Sequence, residues 1–236
     1  MAHRLLPLAV LTATALSVTL ASCAGDDGDA EPLRTTDRAA PVGTGYTSDQ
    51  LEQALLPDVS GYERAGEPDS GEYGSLKAIQ NFDQLQDQVT LDKPRCAKAA
   101  GRPAAGVDRG TPTAIVTFAR GNGQTATETL MAMTTDAAEQ QVKARVPAGC
   151  LTFRTRVGSQ WSEHRVFEAP PGTLGGGSRT VGVTTTSGGS HTKTWYVVLR
   201  GRRFLATISL YGPNATRAEA EQLARAAYDQ ARRILP

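Results

Sequence analysis

The stretch 151–211, LTFRTRVGSQWSEHRVFEAPPGTLGGGSRTVGVTTTSGGSHTKTWYVVLRGRRFLATISLY, decides the fold. It holds five runs rich in β-branched and aromatic residues, at 151–157, 161–167, 179–185, 194–199 and 204–211, separated by Gly, Ser or Pro clusters. Such runs at hairpin spacing predict four or five consecutive antiparallel strands, the last two joined through Arg200-Gly201-Arg202. The chain then ends in a helix from about Asn214 to Ile234, whose Leu223, Ala226, Ala227, Gln230 and Ile234 recur at helical spacing and form the expected inward stripe.

Working back from this block, Thr113-Ala114-Ile115-Val116-Thr117-Phe118 reads as a further strand between Pro112 and Gly121. Thr125 and Glu128 have the spacing of a capping box, and Leu130, Met133, Ala137, Ala138, Gln141 and Val142 follow a 3.6-residue period, so 125–147 is expected to be a helix closed by Pro147 and Gly149. Asp92-Lys93-Pro94 places a cap before a proline, which predicts a short helix ending near Gly101 with Cys96 in its first turn. In 72–91, Leu76, Ile79, Phe82, Leu85 and Val89 are spaced like a helix face among Gln-rich polar residues. Thr47-Ser48-Asp49-Gln50 is a capping signal for a helix through Leu51, Ala54 and Leu55, stopped by Pro57. A run of strands with helices gathered at the ends implies an α+β domain, an antiparallel sheet of about five or six strands with helices packed against it.

The N-terminus gives an address. His3 and Arg4 form a short polar, positive start, and Leu5 to Leu20 carry no charge, as in a secretory signal. Leu20-Ala21-Ser22-Cys23 resembles the lipobox of bacterial lipoproteins, which implies cleavage before Cys23 and a diacylglyceryl thioether on its sulfur. An ordinary secreted protein cut after Ala21, or a plain membrane anchor, are the rival readings. Pro7 and the acidic flank Asp26, Asp27, Asp29 and Glu31 disfavour the anchor. Residues 24–45 carry five acidic and two basic side chains and no apolar period, so 23–45 reads as a lipidated cysteine with a solvated tether, about 70 Å long when extended. Residues 46–236 form the folded domain.

If Cys23 carries lipid, Cys96 and Cys150 remain as an even pair in a chain bound for an oxidising compartment, and a disulfide between them is expected. Closing a loop of about 55 residues would stabilise the fold by roughly 4 kcal/mol. Two buried free thiols are the alternative.

Removing residues 1–22 takes away Arg4, leaving 24 Lys and Arg against 24 Asp and Glu. No basic stripe offers itself to nucleic acid. With no CxxC and only His164 and His191 left after residue 22, neither a metal site nor a cofactor is expected. No G-x-S-x-G, H-E-x-x-H or S-x-x-K with its partners appears, so no catalytic residue is assigned. The glycines of Gly172-Thr173-Leu174-Gly175-Gly176-Gly177-Ser178 lack the lysine and the strand-loop-helix setting of a phosphate loop and read as a flexible hairpin loop. Glu163-His164 reads as part of an exposed strand face, and Trp161, Trp195, Tyr196 and Tyr211 as core packing in preference to a ligand groove. Asn214-Ala215-Thr216 matches a glycosylation sequon by chance.

The order of features, an early Leu-Leu helix, Pro94-Arg95-Cys96, a strand and helix, Cys150 opening the next strands, and a final hairpin leading into a terminal helix, resembles the PknH-type extracellular sensor domains of actinobacterial Ser/Thr kinases and their stand-alone lipoprotein relatives. The likeness spans about residues 46–236 and implies an antiparallel sheet with helices against it and a ligand cleft. It transfers no catalytic residue. That family commonly has a second disulfide and a tryptophan shortly before one cysteine, whereas Pro147-Ala148-Gly149 precedes Cys150 here and no further cysteine exists.

The leading expectation is a non-enzymatic module, held at the outer face of the cell membrane through Cys23, that binds a small molecule, lipid or glycan or presents a surface to another envelope protein. An envelope hydrolase using His164 or His191 as base and a purely structural lipoprotein are the alternatives.

Overall fold

The computed structural model describes residues 45–97 and 107–235. Residues 1–22, Cys23, most of the tether and the expected helix end near Gly101 lie outside the described residues.

The chain enters through α1 (Ser48–Ala54), where Thr47 and Gln50 exchange the reciprocal hydrogen bonds of a capping box and Leu51 and Ala54 are buried. Short strands β1 (Glu63–Arg64) and β2 (Asp69–Glu72) follow, then α2 (Lys77–Asp87) and β3 (Thr90–Leu91). The helix predicted within 72–91 forms, yet none of its residues is buried and Leu85 is 61% exposed. At Pro94–Cys96 a single 3₁₀ turn replaces the expected helix start, because Asp92 does not cap it and accepts the Arg154 N–H instead, tying the segment to the sheet edge.

Strands β4 (Pro112–Arg120) and β5 (Gln124–Ala132) form a hairpin around Gly121-Asn122-Gly123. Residues 124–132 are therefore a strand, and the helix predicted over 125–147 shrinks to α3 (Thr135–Lys143), capped by Thr134. Two local terms prevail over the apparent capping box. Gly123 takes the left-handed conformation (φ +80°) that a three-residue hairpin loop needs, and Thr125, Thr127 and Thr129 alternate with the buried Gln124, Ala126, Glu128 and Leu130.

Strands β6 (Thr152–Val157), β7 (Gln160–Glu168), β8 (Ser178–Ser187), β9 (Ser190–Arg200) and β10 (Phe204–Gly212) match the five predicted runs, and α4 (Arg217–Ile234) closes the domain. The fold is thus α+β, with a ten-stranded sheet where five or six strands were expected. Its order is β1-β4-β5-β10-β9-β8-β7-β6-β3, with β2 also pairing β4, and every pairing is antiparallel. The additional strands are mostly two- to four-residue edge segments too short to show a period.

Helices α1 and α4 pack on one face of the sheet over β4, β5, β9 and β10, burying Val116, Phe118, Leu130, Val197, Leu199, Ile208 and Leu210. The buried stripe of α4 is Ala220, Leu223, Ala224, Ala227 and Ala231, so Ala226 and Ile234 of the predicted stripe point outward. Alanine contacts let the helix lie close to the sheet. On the opposite face, α3 contributes Ala138 to a cluster with Tyr73, Met131, Met133 and Leu205. Further along the sheet, the Cys96–Cys150 disulfide packs on Phe153 and Val166.

Candidate functional site

A cleft of about 250 Å³ opens between the loop following α1 and the outer side of α4. Leu56, Val59, Leu223 and Ala226 give it apolar walls, and Asp58, Ser60, Tyr62, Arg120, Glu219 and Gln222 give it polar ones. The polar wall is a network centred on Glu219. Tyr62 Oη donates to Glu219 Oε1 (2.9 Å), Arg120 Nη1 to the same oxygen (3.1 Å) and Gln124 Nε2 to Oε2 (3.1 Å). The Arg120 guanidinium lies 4.0 Å from the Tyr62 ring centroid and also donates to the Gly61 carbonyl. Glu219 sits in the first turn of α4, where the helix dipole favours a carboxylate, and Thr216 Oγ1 accepts its N–H. Thr216 of the apparent sequon thus serves as a helix cap. Burial, followed by the bond to Glu219, pushes the Tyr62 hydroxyl up to about 12.

Beneath this wall, Glu128 is 1% exposed. Its Oε2 accepts the N–H of Leu56, a cleft residue, at 2.8 Å, while Oε1 has no partner among the described residues. Burial raises its carboxyl from 4.5 to about 7. The four polar residues of the network are spread over 157 positions, and no short motif marks them.

The predicted site residues fall elsewhere. Cys96 and Cys150 are joined as expected. His164 is half-buried between β6 and β8, not on an exposed face. It stacks on Phe153 at 4.8 Å between ring centroids, with Nε2 2.7 Å from Thr155 Oγ1 and Nδ1 3.0 Å from Thr185 Oγ1. Burial lowers its pKa, which keeps the imidazole neutral between two hydroxyls. His191, exposed and bonded to Thr186, projects from the opposite face of the sheet, so the two histidines do not converge. Glu163 is partly buried and pairs with Arg165.

The aromatic residues also divide. Trp195 packs against the core beneath α4 and donates to the Ala215 carbonyl, and Tyr196 is desolvated enough to raise its hydroxyl. Trp161 and Tyr211 are 42% and 46% exposed, contrary to the expectation of core packing. The loop 172–178 is a hairpin connection as expected, but paired Gly172 and Ser178 backbone bonds and the Gly176 N–H to Arg200 O hold it in place. Among the described residues, no group of three or more His, Cys, Asp and Glu side chains is placed to hold a metal ion. No described helix is long and apolar enough to cross a membrane.

No family model and no curated protein matches the sequence. Among solved structures, the fold is similar to the extracellular domain of PknH from Mycobacterium tuberculosis, with a TM-score of 0.54 and 12% identity, over 80% of this chain and 98% of that one. An uncharacterised protein from Mycobacterium smegmatis aligns over 78% of this chain and 95% of its own at TM-score 0.44 and 13% identity. The disulfide-bridged α+β domain described above therefore has the fold of the PknH extracellular domain.

Proposed function

We propose that this chain is a non-enzymatic module of the cell envelope, anchored through lipid on Cys23, whose domain binds a ligand of small cross-section in the cleft between the 56–62 loop and α4. The observation that carries the reading is the match of the domain to nearly all of an extracellular domain. The signal-like segment ending at Cys23 and the Cys96–Cys150 bond support the same compartment. The cleft is smaller than most sites for drug-sized ligands, so it suits one side chain of a partner or one end of a lipid or sugar. A hydrolase built on His164 has no support in the geometry, because both ring nitrogens are engaged by threonines and no carboxylate orients the ring.

Native mass spectrometry of the mature chain, purified gently from envelope extract, tests the binding. A defined extra mass is expected, and Ala226→Phe, at an exposed helix position on the cleft wall, should abolish it without loss of thermal stability. A bare chain under conditions that preserve known complexes would overturn ligand binding. Anchoring is tested separately by fractionating cells that express Cys23→Ser. Retention of the processed chain in membranes washed at 1 M salt, in which exposed charge attraction is screened beyond about 3 Å, would overturn it.

A further inference from the structure

A second recess in the described domain lies at the opposite end of α4 from the cleft, beside Gly45, where the expected tether meets the domain. It measures about 470 Å³, and its lining includes Gly45, Tyr46, Arg202, Arg203, Ile234 and Leu235. Gly45 is the first described residue and the last of the tether. Its positive φ of +94° turns the chain against the Arg203 side chain so closely that a Cβ there would lie 2.7 Å from Arg203 Cδ. Gly45 and the two arginines therefore share one end of the described domain.

That end is basic and partly apolar. Arg202 and Arg203 are exposed in the β9–β10 turn, and neither side chain has an ion-pair partner among the described residues. Their backbone is fixed, since Arg203 O accepts from Met133 N (3.1 Å) and Arg202 O from Thr135 Oγ1 (2.6 Å). The last turn of α4 adds Arg232 and Arg233, next to Ile234, which is 44% exposed. No acidic side chain lines the recess, and the flanking helices α1 and α3 bring Asp49 and Asp136 in their first turns. Guanidinium groups match the paired oxygens of a phosphodiester, and an exposed isoleucine among long arginine stems suits the boundary between headgroups and acyl chains.

We propose that this end of the domain docks on the anionic phospholipid headgroups of the membrane, with Arg202 and Arg203 taking the phosphates and Ile234 reaching among the acyl ends. The proposal rests on the anchoring reading, because a lipid on Cys23 and a tether joining at Gly45 keep this end at high local concentration near the bilayer. Docking leaves the 56–62 cleft, at the other end of α4, facing away from the membrane.

Vesicle flotation tests the docking independently of the anchor. The mature chain carrying Cys23→Ser, produced without residues 1–22 and with its disulfide formed, has no lipid, so any binding comes from the protein surface. It should float with vesicles containing phosphatidylglycerol and not with pure phosphatidylcholine vesicles. Arg202→Ala with Arg203→Ala should lower partitioning by roughly thirtyfold, from about fivefold per surface arginine, at unchanged melting temperature. Absence of binding to the anionic vesicles, as when the chain's own acidic tether fills the recess, would overturn the proposal. So would equal binding by the double variant. Either result leaves the fractionation test of Cys23 standing.

Discussion

The two halves of the sheet are held by different means. The half made of β4, β5, β10 and β9 lies beneath α1 and α4 and shares a cluster of 24 buried residues. The half made of β8, β7, β6 and β3 buries a cluster of four, Cys96, Cys150, Phe153 and Val166. The same face that is aliphatic under α4 continues past Trp195 as Arg154, Arg156, Trp161, Glu163, Arg165, Thr184 and Thr186. Gly182 marks the border, for a Cβ there would come within 2.6 Å of the Trp195 ring, which lies in the slot the glycine leaves. Helices stabilise one half by burial of apolar surface. The other half, with little core, depends on a covalent link.

The largest effect should come from removing that link. Cys96→Ala with Cys150→Ala opens a loop spanning 54 positions and is expected to cost about 4 kcal/mol on the chain-entropy account. Hydrogen exchange should show the loss of protection concentrated in β3, β6 and β7, while β5 and β10 keep their protection up to the global limit. Uniform loss across both halves would show that they unfold as one unit and would remove the distinction.

The contrast between the halves also explains what could be read in the sequence. Strands β6 to β10 were legible because period-two runs alternate with Gly, Ser and Pro clusters, and their limits agree with the expected ones to within a few residues. In the helix-covered half, the same kind of reading failed at β5, where Thr125 and Glu128 mimic a capping box and Leu130 and Met133 sit in register with the real helix downstream. Glu128 is the source of the error: a glutamate at an inward strand position is rare enough that solvent or a helix end is the better sequence-level guess. The α4 stripe was displaced for a related reason, since Ala220, Ala224 and Ala231 carry little hydrophobic signal and Ile234 carries much. The disulfide was legible from cysteine parity alone. The cleft was not, because Tyr62, Arg120 and Glu219 meet only through the β1–β4 pairing and the return of α4.

The two halves should respond to pH in opposite directions. In the helix-covered half, Glu128 has a carboxyl raised from 4.5 to about 7, so in that interval the folded chain holds a proton that the unfolded chain has released. Its contribution is intact below about pH 4.5 and is lost as the pH rises through 7, a decline of about 3 kcal/mol in all. In the other half, burial lowers the pKa of His164, so the unfolded chain takes up the proton first and stability falls as the pH drops below about 6.5. Urea unfolding from pH 4.5 to 8 is expected to lose the alkaline decline in Glu128→Gln and keep it in His164→Gln. An unchanged alkaline decline in Glu128→Gln would assign it to another group.

The smallest effect should come from the bare part of the sheet face. Trp161 is 42% exposed, and its ring lies beneath the guanidinium groups of Arg154 and Arg156, at 5.1 and 5.5 Å from the ring centroid. Cation–π contacts at so open a site are worth about 0.5–1 kcal/mol, part of which water returns when the ring is removed. Trp161→Ala should therefore change the unfolding free energy by only about 0.5 kcal/mol, measured by urea denaturation followed by circular dichroism. A tryptophan buried as a core residue would cost about 3–5 kcal/mol, and a loss of that size would mean that something covers this face in solution. A loss near the lower figure leaves this face as solvated sheet. The difference from the helix-covered half then lies in what sits above the strands, because strand pairing continues without a break from β10 through β6.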